Sequence, residues 1–118
     1  AEVMCEMYRD LNVKYYGDDI IIDHELDMEW ARIPHFYYNY YVYQYATGFS
    51  AAIALSQRIL NEGESAVKDY IGFLSGGCSA DPITLLKGAG VDMNTAKPVN
   101  DALKLFNELL DEMEGLVD

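Results

Sequence analysis

Two histidines and a cluster of phenols carry most of the chemistry this chain could do. The string Asp23-His24-Glu25-Leu26-Asp27-Met28 begins like the zinc motif HExxH. In that motif two histidines four residues apart on a helix hold the metal, and the glutamate serves as base. Here Met28 stands where the second histidine is required, and His24 and His35 are eleven residues apart, so the motif cannot form. Asp23, Glu25 and Asp27 are therefore read as loop carboxylates, and no metal ligands are assigned in this chain. The stretch IPHFYYNYYVYQYATGFSAA, residues 33 to 52, is different in kind. It holds His35 and six of the ten tyrosines. At about 100° per residue, Phe36, Tyr40, Tyr43 and Thr47 would share one face of a helix, with Tyr37, Tyr41 and Tyr45 on an adjacent one. Buried phenol hydroxyls need hydrogen-bond partners. A wall facing both a core and a polar cavity would supply them, and so would simple packing with bonds to backbone carbonyls. The pattern alone admits both.

The elements that must position these groups are helical throughout. Met4, Met7, Tyr8 and Leu11 recur at helical spacing from the start of the chain, which opens without an initiator Met and is read as a piece of a longer protein. Gly17-Asp18-Asp19 breaks that helix, and Ile20-Ile21-Ile22 has no second strand-like run to pair with, so it is expected to be an ordered loop. Glu29 to Arg32 is expected to form a helical turn before Pro34, whose fixed φ suits the first position of a new helix. From His35 to about Leu60 a single long, tyrosine-rich helix is predicted, since Gly48 alone interrupts it. Ser65 is expected to cap the next helix, which Gly76-Gly77 ends, and Asp81-Pro82 starts a short one closed by Gly88 or Gly90. The last helix begins near Pro98 and carries Val99, Ala102, Leu103, Phe106, Leu109, Leu110, Met113 and Val117 on one stripe. That stripe spans about two and a half heptads, too short for a coiled coil, so packing onto neighbouring helices is predicted. Glu108, Asp111, Glu112 and Glu114 form its solvated face, and the scattered methionines read as core filler.

Composition limits the partners. The 118 residues suit one helical domain spanning 1–118, and a formal charge of −12 repels phosphate backbones and anionic headgroups. Nucleic acid and membrane surfaces are excluded on that ground. No apolar run approaches the roughly twenty residues that span a bilayer, and no basic-then-apolar leader is evident, so a cytoplasmic location is expected. Cys5 and Cys78 lack metal-ligand spacing and are read as a reduced pair.

The stretch WARIPHFYYNYYVYQYATGFSAAIAL, with Tyr15-Tyr16-Gly17 before it and FLSGGCSADPITLLKGAGVDM after it, resembles the C-terminal catalytic-domain segment of the oligoendopeptidase F family. That family lies within the thimet-oligopeptidase-like zinc metallopeptidases. The resemblance covers nearly the whole chain. It implies an all-α, zincin-like oligopeptidase segment of about five helices around one long tyrosine-rich helix, in an enzyme that cuts short peptides with a zinc-bound water. In this family the HExxH helix and the glutamate ligand lie upstream of the matching segment, and neither is present here. The resemblance thus implies Zn held outside this chain, the rest of the catalytic domain as partner, and no hydrolysis by the isolated chain.

Zinc-assisted peptide hydrolysis builds an oxyanion beside the metal, and fixed hydroxyl or imidazole donors aimed at that oxygen stabilise it. Tyrosine suits the role because its pKa near 10 keeps the donor protonated at neutral pH. Family resemblance points to His35 and the tyrosines after it. His35 and Tyr40 are expected to hold substrate backbone and Tyr43 to sit nearest the oxyanion, with Tyr37 and Tyr41 in reserve because one step of misalignment exchanges the faces. A non-catalytic helical peptide-binding module is the alternative reading. A homodimer of the chain, burying part of the tyrosine-rich helix, is also expected.

Overall fold

The chain is helical from its second residue. In a computed structural model that describes residues 1–117, five α-helices are joined by turns and two 3₁₀ segments, with no strand among the described residues. Helix α1 runs Glu2–Tyr16 and stops at Gly17, whose φ of 74° is natural for glycine and poor for other residues. A 3₁₀ helix follows over His24–Arg32, and a second, Pro34–Tyr37, opens with its proline in the first turn. Helix α2 is Tyr43–Glu62, α3 Glu64–Ser75, α4 Pro82–Gly88 and α5 Lys97–Val117. Residues 20 to 22 form no regular element, as expected of a loop.

The chain divides into two compact units, Ala1–Tyr43 and a second that begins at Gln44. Within the first, α1 packs on the His24–Arg32 helix. The contact is fastened by charge. Arg9 Nε lies 2.9 and 3.0 Å from the two oxygens of Asp27, and His24 Nδ1 is 2.7 Å from Asp27 Oδ2. Asp27 is thus a buried, ion-paired carboxylate on a 3₁₀ helix, not the loop carboxylate read from sequence. Burial, the largest influence, pushes its carboxyl upward, but the hydrogen bonds and charges of Arg9 and His24 together outweigh it and hold Asp27 below the usual carboxylate range. Nearby, Tyr8 Oη donates to Glu29 at 3.2 Å and Arg32 also engages Glu29. Burial, and after it the Glu29 carboxylate, push the Tyr8 phenol above its ordinary value.

In the second unit, Leu55, Ala89 and Val91 form the core, with Ala54, Tyr70, Phe73, Leu86 and Met93 packed against it. The Tyr70 and Phe73 rings stack, 6.4 Å between centroids. Asp81 caps α4 by accepting from the Thr84 N–H at 3.0 Å, with Pro82 at the first helical position, as the sequence order predicts. Ser65 does not cap α3. Gly63, at φ 68°, ends α2 and sits at the N-cap, so Ser65 falls inside the helix. The predicted stripe on α5 exists but stays largely exposed, and Pro98 is the buried residue of that helix among the described residues.

Candidate functional site

The tyrosine segment is not one helix. The predicted His35–Leu60 element is divided into the Pro34–Tyr37 3₁₀ turn, a bend over residues 38 to 42, and α2 from Tyr43 onward. Its cause is local backbone geometry. Asn39 and Tyr40 have φ of 33° and 61°, in the left-handed region where a right-handed helix cannot continue. The two faces expected for Phe36/Tyr40/Tyr43/Thr47 and Tyr37/Tyr41/Tyr45 therefore do not exist over residues 35 to 42. Asparagine tolerates such a φ through its short side chain. Tyrosine does not, and a bulky residue there is an outlier associated with functional sites.

Short-range hydrogen bonds hold the bend. Phe36 N–H donates to the Ile33 carbonyl at 3.2 Å, Tyr38 N–H to His35 at 3.3 Å, and Tyr41 N–H to Tyr38 at 2.8 Å. The Tyr37 hydroxyl donates to the Ala31 carbonyl at 2.8 Å, which pins the bend to the end of the preceding 3₁₀ helix. Tyr37, a reserve candidate for substrate contact, thus has a structural anchor. His35 is half-buried, and its ring centroid lies 5.9 Å from that of Tyr41 and 6.5 Å from that of Tyr38. Tyr38 and Tyr41 are themselves 6.2 Å apart and nearly perpendicular. Of the candidates, then, His35 and Tyr41 are brought together, with Tyr38 as the third ring. Tyr38 was not singled out by sequence. Tyr40 stands apart as the most exposed of the six phenols, at 87%, and Tyr43 is the first residue of α2.

No phenol of the segment is buried, their exposures running from 39% to 87%. In this chain the segment is an accessible aromatic surface carrying an imidazole and several donors. Such a surface can hydrogen-bond peptide carbonyls and cover apolar side chains. Among the described residues no three His, Cys, Asp or Glu side chains are grouped to hold an ion, and His24 is engaged with Asp27. Cys5 and Cys78 are free thiols. No helix among the described residues is long and apolar enough to cross a membrane.

The sequence profile of Peptidase family M3 matches residues 1–105. The chain is 60% identical over 116 residues to Oligopeptidase PepF of Bacillus subtilis (strain 168), which covers 98% of this chain and 17% of that relative. It is 46% identical to Group B oligopeptidase PepB of Streptococcus agalactiae serotype III (strain NEM316), covering 99% of this chain and 20% of the relative. Its fold is similar to the crystal structure of oligoendopeptidase-F from Enterococcus faecium, with a TM-score of 0.82, 47% identity, and coverage of 99% of this chain and 22% of that one. The chain belongs to peptidase family M3. It spans about a fifth of the length of these relatives.

Proposed function

We propose that this chain is a helical part of the catalytic domain of an M3 oligopeptidase, and that residues 33 to 43 form its wall against bound peptide. His35 and Tyr40 hold substrate backbone. Tyr43, at the start of α2, donates its hydroxyl to the scissile carbonyl oxygen as that atom gains charge. Tyr41 and Tyr37 flank them, Tyr37 through a hydroxyl tethered to Ala31. The observation that carries the reading is Tyr40, a bulky residue kept at φ 61° with most of its surface in solvent. Left-handed backbone costs a non-glycine residue on the order of 1–2 kcal/mol, and an exposed side chain recovers little of that by packing. A contact made outside this chain accounts for it, with the rest of the catalytic domain or with bound peptide, and we assign it to the peptide. The similarity to relatives named as oligopeptidases supports short peptides as the substrate class.

We place the ligands of the Zn that the family resemblance implies outside this chain. By itself the chain is not expected to hydrolyse peptides, and a cytoplasmic location belongs to the same proposal.

Kinetics of the intact M3 peptidase carrying this segment test the assignment. Tyr43→Phe removes one donor and keeps the ring, so kcat should fall about 10²–10³-fold, roughly 2.7–4 kcal/mol, with KM little changed. Tyr45 lies about 160° from Tyr43 around α2, so Tyr45→Phe should cost far less. His35→Ala and Tyr40→Phe should raise KM, since their contacts exist before charge develops. Equal, small effects at Tyr43 and Tyr45 would show that these rings only pack.

A further inference from the structure

His35, Tyr38 and Tyr41 form a closed triangle of rings. His35 meets Tyr38 edge to face at 82°, Tyr38 meets Tyr41 at 75°, and His35 lies tilted 35° against Tyr41. All three centroid separations, 5.9 to 6.5 Å, fall in the range where aromatic pairs attract. The triangle exists because the helix is broken. In an uninterrupted α-helix, residues 35 and 41 would stand about 9 Å apart along the axis and about 120° apart around it. The left-handed pair Asn39-Tyr40 turns the chain back, and the Tyr41 N–H bond to the Tyr38 carbonyl closes the turn.

We infer that Tyr38 is a positioning residue: its ring, together with that of Tyr41, fixes the orientation of the His35 imidazole that contacts substrate. This rests on the peptide-binding reading of His35 given above. An unconstrained exposed side chain exchanges rotamers in picoseconds to nanoseconds, and each ring packed against the His35 imidazole restricts that exchange. Binding would have to order an unconstrained imidazole at each encounter, and prior ordering removes that cost from affinity. Each ring of the triangle touches the other two, so none can change rotamer without losing two contacts. The role belongs to the ring of Tyr38, and its hydroxyl takes no part.

Tyr38 is largely exposed, so its replacement leaves the buried framework intact. In the intact M3 peptidase, assayed with an internally quenched short peptide, Tyr38→Leu should raise KM roughly two- to tenfold, the equivalent of one aromatic pair, with kcat changing little. Tyr38→Phe, which retains the ring, should restore most of that loss. In a His35→Ala background, Tyr38→Leu should add nothing further, because it acts through the imidazole. On the 118-residue chain, the His35 ring-proton shifts should change in Tyr38→Leu, as a neighbouring ring current is removed, while the far-UV circular dichroism is unchanged.

Additive effects of Tyr38→Leu and His35→Ala would overturn the inference, as would a Tyr38→Phe variant as impaired as Tyr38→Leu, which would make the hydroxyl a direct contact. His35 proton shifts unaffected by Tyr38→Leu would also overturn it. A His35→Ala enzyme with unaltered KM would instead sink the peptide-binding reading itself, and is distinguished because it fails before Tyr38 is touched.

Discussion

Replacing Gly90 by alanine should loosen the second unit by displacing one arginine. A Cβ built at Gly90 would stand 1.9 Å from Nη1 of Arg58, 2.4 Å from its Cζ and 3.0 Å from its Nε, all far inside contact distance. The guanidinium is the mobile end of a long side chain, so it is the group that must leave. In its present seat Nη1 donates to the Ala89 carbonyl, Nη2 meets Glu62 at 2.7 Å and Asp69 at 3.3 Å, and Nε meets Glu62 at 3.1 Å. Arg58 therefore ties α2 to α3 and to the Ala89–Gly90 turn, and Ala89 is in the core. Two costs follow. Gly90 has φ 82°, where alanine loses about 1 kcal/mol or more. The hydrogen bond from a charged donor to a buried carbonyl is worth about 1.5–3 kcal/mol, weighted to the lower end because the departing guanidinium is re-solvated. Together they amount to about 2.5–4 kcal/mol, enough to lower Tm by roughly 10–30 °C in a unit of this size. Urea and thermal unfolding of the chain, followed by circular dichroism, measure it. In an Arg58→Ala background the same substitution should cost only the backbone share, about 1 kcal/mol. An equal cost in both backgrounds would refute the seat assigned to Arg58.

Tyr40→Gly should relieve left-handed strain at a residue that buries little, so the chain should gain up to about 1 kcal/mol of stability while the intact enzyme loses peptide affinity; a thermal shift and KM measured on the same substitution check both, and a fall in Tm would show that Tyr40 packs. The pH dependence of the first unit should follow Asp27. Its carboxyl is held below the ordinary value of about 3.9. The Arg9 pair therefore contributes in full above that pH, and its contribution is lost as the pH falls through the lower folded-state value. Asp27→Asn should destabilise the chain at neutral pH and flatten this acid-induced loss, read from unfolding midpoints between neutrality and about pH 2; an unchanged acid slope would place the titrating group elsewhere.

The helical class of the chain and most of its breaks were legible because they depend on neighbours in sequence. Gly17, Gly76 and the Asp81-Pro82 pair act within one turn of themselves, and apolar spacing near 3.6 marks α1 and α5 wherever they pack. The types of the candidate site residues were legible too, down to His35 and the phenols that follow it. Their arrangement was not. Nothing between His35 and Val42 is a glycine or proline, and Asn39 was the single residue that tolerates the conformation found. A tyrosine at positive φ runs against local preference, so no reading of periodicity could find the bend that sets Tyr41 against His35. Asp27 met its partner Arg9 from 18 residues away, and Arg58 reached a carbonyl 31 residues on, turning one assumed loop acid into a buried, ion-paired carboxylate and giving the second unit its clasp. Helix ends are decided by the few residues around them, whereas the geometry of the ring triangle and of the two arginine seats is decided by which distant backbone comes close enough to touch.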